Sequence, residues 1–166
     1  DGLLDTCVLY GNFSGSWSDN ESDNTVVSGV ADSFTIDLTN GTFVWNMWCN
    51  DSVGNAAYNS SNRTLYIDTQ EPNIVLNAPI DKFNTSSVDI MFNWTASDNL
   101  AANLTCNLSI DNVVNKSGQI SANGAFSNVT VTGFDDGRYN WNMTCIDYAL
   151  NINSSETRLF TVDTTA

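Results

Sequence analysis

Residues 41–55, GTFVWNMWCNDSVGN, recur 96 positions later as GRYNWNMTCIDYALN at 137–151. Gly, an aromatic, Trp, Met and Cys hold the same offsets, and Asp and Asn follow. A self-copy at fixed spacing constrains a fold more than chain length does, because each copy must build the same supersecondary unit. The 166 residues therefore read as two modules, 1–69 and 70–166. At 42% hydrophobic and 11% aromatic content, each has the apolar material for its own core. No apolar run approaches the ~18 residues that would cross a membrane.

The second module reads as a series of short strands. Val88, Ile90, Phe92 and Trp94 alternate with polar residues, as do Leu104, Cys106, Leu108 and Ile110, and then Tyr139, Trp141, Met143 and Cys145. Segments 73–79, 127–134 and 157–163 complete the set, punctuated by Gly, Asn and Asp. Period-two alternation in short stretches without helical spacing predicts an antiparallel β-sandwich. Aligning Cys7 with Cys106 leaves the first module no counterpart of residues 70 to about 100, so its first two strands are absent. Two explanations stay open: those strands lie outside this sequence, or another chain supplies them by strand donation.

The cysteines are Cys7, Cys49, Cys106 and Cys145, with one pair in each repeat, 42 and 39 residues apart. That spacing favours Cys7–Cys49 and Cys106–Cys145 among the three pairings, and it offers no closely spaced ligand pairs for zinc. Disulfides imply an oxidising, extracellular setting. A loop of ~40 residues closed in this way stabilises a small domain by about 3–4 kcal/mol.

The formal charge of -14 argues against nucleic acid, which needs a basic footprint. Histidine is absent, which removes the commonest general base and the usual ligand of catalytic zinc. No nucleophile–base pair or phosphate loop stands in for it, so no catalytic residues and no enzymatic activity are expected.

An aromatic-x-Trp-x-Met-x-Cys strand, then Asp51 to Asn55 or Asp147 to Asn151, then a strand ending in Asp-Thr before Pro72, resembles tandem immunoglobulin-like repeats. These are the bacterial-type Ig or fibronectin III-like modules of prokaryotic surface proteins. The resemblance implies a structural role on a cell surface or in a pilus-like filament, and an archaeal source. The sequence departs from its own pattern at Leu150, where the first copy has Gly54.

Asn-x-Ser/Thr occurs fourteen times, at Asn12, Asn20, Asn40, Asn50, Asn59, Asn62, Asn84, Asn93, Asn103, Asn107, Asn115, Asn128, Asn142 and Asn153. Random placement of 24 Asn among 35 Ser plus Thr would give about 5 such triplets. Asn93, Asn103, Asn107, Asn128 and Asn142 also fall on the polar parity of their strands, where an attached sugar reaches solvent. A glycan-coated extracellular protein is the expectation.

The two copies differ on one face. In the second module the outward residues of the cysteine-bearing strands are Asn107, Ser109, Asn140, Asn142 and Thr144; in the first they are Val8, Tyr10, Val44, Asn46 and Trp48. Trp48 also removes the sequon, since Asn46-Met-Trp accepts no glycan. An apolar patch without sugar suggests a protein contact, so Val8, Tyr10, Val44 and Trp48 are the candidate interface between copies in a homopolymer. Two weaker sites complete the set. Asp51, Asp68, Glu71, Asp147 and Asp163 are candidate calcium carboxylates near strand ends, without an EF-hand loop. Trp17 is a candidate for stacking on a sugar, or for folding over its own sandwich. The leading expectation is a subunit of an extracellular filament, stalk or surface layer, with no cofactor required. The alternative is an adhesin or carbohydrate-binding module.

Overall fold

A computed structural model describes residues 3–165 of the chain. It divides into two compact units, the first ending at Asp68 and the second beginning at Thr69. All regular structure in the described residues is β.

In the first unit, β1 (Leu4–Gly11), β2 (Ser18–Asp23), β3 (Gly41–Asp51), β4 (Ala56–Tyr58) and β5 (Arg63–Ile67) form one sheet in the order β2-β1-β3-β4, with β5 also on β3. Alternation along β1 turns Cys7 and Leu9 inward and Val8 and Tyr10 outward. Opposite the inward face runs 24–40, which belongs to no strand. Phe34, Ile36 and Leu38 in this stretch are half-buried, while Ser33, Thr35, Asp37 and Thr39 between and beside them are exposed.

The second unit is a sandwich of two sheets. The larger orders β10 (Val113–Ala122), β9 (Asn103–Ile110), β12 (Gly137–Ile146), β14 (Arg158–Val162) and β7 (Phe83–Thr85), with β13 (Ile152–Ser154) also on β12. The smaller orders β11 (Phe126–Val131), β8 (Ile90–Ser97) and β6 (Asn73–Ala78). Between them Leu76, Ile90, Phe92 and Trp94 meet Leu104, Leu108, Trp141, Met143, Phe160 and Val162 in one buried cluster. Phe92 packs edge-on to both Trp141 and Phe160. The buried Trp94 indole donates to Ser121 Oγ at 2.8 Å, whereas the equally buried Trp141 Nε1 has no partner among the described residues.

Several expectations change in detail. Val88 lies ahead of β8 and is exposed rather than continuing its inward row. One pairing in the larger sheet is parallel, β14 with β7, so the sandwich is not wholly antiparallel. β10 is absent from the sequence-based strand list because it is an edge strand with two register shifts and one buried residue, Ser121, so its alternation is broken. β7 and β13 are three residues each, too short to show a period.

Candidate functional site

Cys7 lies directly across from Cys49, and Cys106 from Cys145, and each facing pair is a disulfide. The two units share more than these bonds. Trp45 pairs with Arg63 as Trp141 does with Arg158, and Phe43 with Leu65 as Tyr139 with Phe160. Arg63 lies 5.6 Å from the Trp45 ring in cation–π geometry. Each unit also closes the same corner after its central strand. Asp51 Oδ1 accepts from the Asn55 amide and its Oδ2 from Asn55 Nδ2, both at 2.8 Å. Asp147 holds Asn151 through the same two atoms, at 2.9 and 2.8 Å. Gly54 and Leu150 both take left-handed backbone at this corner, with φ of 91° and 71°. Asp-x-x-x-Asn is therefore a loop clasp, which accounts for Asp51 and Asp147 structurally. Of the other candidate calcium carboxylates, Glu71 is exposed, Asp68 is half-buried, and Asp163 accepts from Thr165 in its own turn. Asp98, which the sequence did not single out, brings a carboxylate oxygen within 4.8 Å of one of Asp147.

All fourteen sequon asparagines lie off the core, half-buried or exposed. They are not equivalent. Asn20 Nδ2 donates to both Gly11 O and Ser18 O, so a glycan bond there would displace one hydrogen bond. Asn153 Nδ2 donates to Pro72 O at 2.8 Å. Asn107 meets its neighbours through Oδ1 instead, accepting from the Gly118 amide.

The outward face of the first unit carries the row Val8–Trp48–Tyr58 across β1, β3 and β4. The corresponding row of the second unit is Asn107–Thr144–Ser154, with Thr144 and Ser154 hydroxyls 2.8 Å apart. Tyr10 lies beside the apolar row, stacked near Trp17 at 6.4 Å and edge-on to Tyr58 at 5.3 Å. The Tyr58 hydroxyl, hydrogen-bonding to Tyr10, raises the Tyr10 phenol above its ordinary pKa, and partial burial adds to the rise. Val8, Tyr10, Val44 and Trp48 are themselves half-buried, and the more open aromatics against Tyr10 are Trp17 at 44% and Tyr58 at 49% exposure. Trp17 thus folds against its own sheet while leaving an edge in solvent.

Asn46 corrects the picture of an outward, uncovered residue. It is only 5% exposed, and its Nδ2 donates to Asn59 O at 3.2 Å and to Asn62 Oδ1 at 2.8 Å. It pins the loop after β4 against the sheet. Sequence reasoning missed both this clamp and Tyr58. The paired sequons at Asn59 and Asn62 gave no sign that both also hold a strand residue.

The inward face of the first unit lines a cavity of about 540 Å³, walled by Leu9, Trp45 and Met47 on the sheet and by Phe34, Ile36 and Leu38 opposite. Asp32 also reaches its wall. Asp23 nearby is held below the usual carboxylate range, chiefly by the Thr25 hydroxyl and amide and then by Asp32.

No family model matches the sequence, and no characterised relative matches it significantly. Among solved structures, the chain is similar to fibronectin(III)-like modules of CbhA from Clostridium thermocellum, at 14% identity and a TM-score of 0.45. That match covers 57% of this chain and 99% of the other.

Proposed function

We propose that this chain is a structural, glycan-bearing segment of an extracellular filament, stalk or surface layer, and not an enzyme. One observation carries the reading. Every sequon asparagine is accessible, whereas Asn46, the counterpart of Asn142, is buried beside an aromatic face and has no sequon. The first unit thus lacks, beside Trp48, the sequon that the second unit carries at Asn142. Two disulfides fit an oxidising compartment, and glycans beside β-sheet edges suppress uncontrolled strand pairing. The face of Val8, Tyr10, Val44 and Trp48, extended by Trp17 and Tyr58, is the contact between copies in a homopolymer. Its aromatic composition suits an interface anchor. Electron microscopy of native material tests this. Periodic fibres with sugar density on Asn142 and a subunit contact at Trp48 are expected; dispersed particles with Trp48 facing solvent would overturn it.

The half-open Trp17 and Tyr58 edges favour a second reading, in which the same aromatic face of an adhesin or carbohydrate-binding module stacks on a sugar. Saturable quenching of Trp17 fluorescence by oligosaccharides, absent in Trp17→Ala, would select it.

A further inference from the structure

The two units contain corresponding sheets with apolar inward residues at matching register positions, yet one core is sealed and the other is open. Trp141, Met143, Phe160 and Val162 are fully buried. Their register counterparts Trp45, Met47 and Ile67 are half-buried, and Leu65 is 36% exposed. Trp and Met are the same in both, and Leu65 for Phe160 and Ile67 for Val162 keep the positions apolar. In the second unit β8 and β6 lie across them and bring Leu76, Ile90, Phe92 and Trp94 into the cluster. Among the described residues the first unit has no counterpart of either strand, and the 540 Å³ cavity stands in the corresponding place.

One extended segment stands where a third strand of that layer would lie. Residues 33–38 alternate between exposed and half-buried as a strand does, but they pair with no strand among the described residues. By inward parity, Phe34 and Ile36 correspond to Val129 and Val131 of β11. In the second unit those residues lie across from Phe92 and Ile90 of β8. An extended segment with an unused hydrogen-bonding edge and an apolar floor beside it is a template for strand addition.

The geometry points to an occupant of one kind: an antiparallel pair of strands with the chemistry of β6 and β8. Its central strand pairs with residues 33–38 and turns an Ile-x-Phe-x-Trp-x-Ala row onto Leu9, Trp45 and Met47. Charge selects in the same direction. Asp32 lines the cavity and Asp37 lies between Ile36 and Leu38, so an acidic strand would be repelled, and neither β6 nor β8 contains a charged residue. Area is sufficient as well. Two aromatics and two aliphatic side chains bury on the order of 600 Å² from the partner, near the ~800 Å² per side of a stable interface. This surface lies on the face opposite the aromatic row, so the inference does not depend on the proposed filament contact.

The test extends the full chain, with a copy of residues 70–102 placed directly ahead of Leu4, the junction at which β9 begins in the second unit. A control extension carries Ser in place of the copied Ile90, Phe92 and Trp94. Anilinonaphthalene sulfonate reports the open cavity, and hydrogen exchange reports the amides of 33–38. The unmodified chain is expected to bind the dye. The apolar extension is expected to abolish that binding and to slow exchange at 33–38 by at least about tenfold, and the Ser extension to do neither. Three results would overturn the proposal. One is dye binding and fast exchange unchanged by the apolar extension. Another is equal protection from the Ser extension. The third is concentration-dependent loss of dye binding in the unextended chain, which would make a second copy the occupant.

Discussion

Trp48→Thr rewrites Asn46-Met-Trp as Asn46-Met-Thr and so gives the first unit the sequon its copy has at Asn142. On sequence alone Asn46 should then behave as Asn142 does. The structure says otherwise. Both Nδ2 hydrogens of Asn46 are engaged, by Asn59 O and Asn62 Oδ1, and the side chain is 5% exposed. An N-glycosidic bond leaves Nδ2 one hydrogen, so at least one of these bonds is lost, and an acceptor left unpaired in a partly buried site costs about 1–3 kcal/mol. The sugar must also displace the loop that Asn46 pins. Trp48→Thr itself removes half-buried aromatic packing, costing about 2 kcal/mol, half of what a fully buried Trp would lose. Expressed in a glycosylating host, the variant should show Asn46 occupied far less than Asn142 by glycopeptide mass spectrometry. Any molecules that are occupied at Asn46 should unfold at lower urea than the unoccupied ones. Trp48→Phe, which creates no sequon, separates the packing loss from the sugar. Occupancy of Asn46 equal to that of Asn142, with an unchanged urea midpoint, would refute the buried-clamp reasoning.

Other outcomes follow from single contacts. Ser121→Ala leaves the buried Trp94 N–H unpaired and should cost the second unit about 1–3 kcal/mol in urea unfolding. A loss under ~0.5 kcal/mol would mean another acceptor replaces the hydroxyl. Gly54→Ala places a Cβ at φ 91° and should destabilise the first unit by about 1 kcal/mol. Leu150→Gly, at the equivalent corner, should be neutral to mildly stabilising in thermal unfolding, because the relieved strain is offset by glycine's unfolded-state entropy. The Tyr10 phenol should titrate above its ordinary pKa by NMR and return toward it in Tyr58→Phe. Because the folded-state value is the higher one, this contribution to stability is intact below the ordinary tyrosine range and lost as pH rises through the folded value.

The fold was legible where the chemistry is local and periodic. Alternation of Phe92 with Trp94 and of Trp141 with Met143 needs only the two-residue repeat of a strand, and the spacing of Cys7 to Cys49 needs only one bond per module. β10 was not legible, because an edge strand buries one residue and has no inward row to display. The gap left by aligning the first module with the second was visible in the sequence, but the cavity beside Leu9, Trp45 and Met47 was not. The aromatic face was partly legible: the exchange of Thr144 for Trp48 marks it, whereas Tyr58 joins it through a pairing set by the corner loop.

By itself the sequence determined the β class, the duplication, the cysteine pairs and the abundance of sequons, since each is a property of residue type and spacing along the chain. Only the tertiary structure decided which asparagine has a free amide. Asn46 and Asn142 occupy the same place on the same strand, but whether a loop lies over that place depends on residues more than ten positions away. It also decided that corresponding apolar inward residues make a sealed core in one unit and a groove in the other. Burial belongs to what lies opposite a side chain, and that information is not in the strand that carries it.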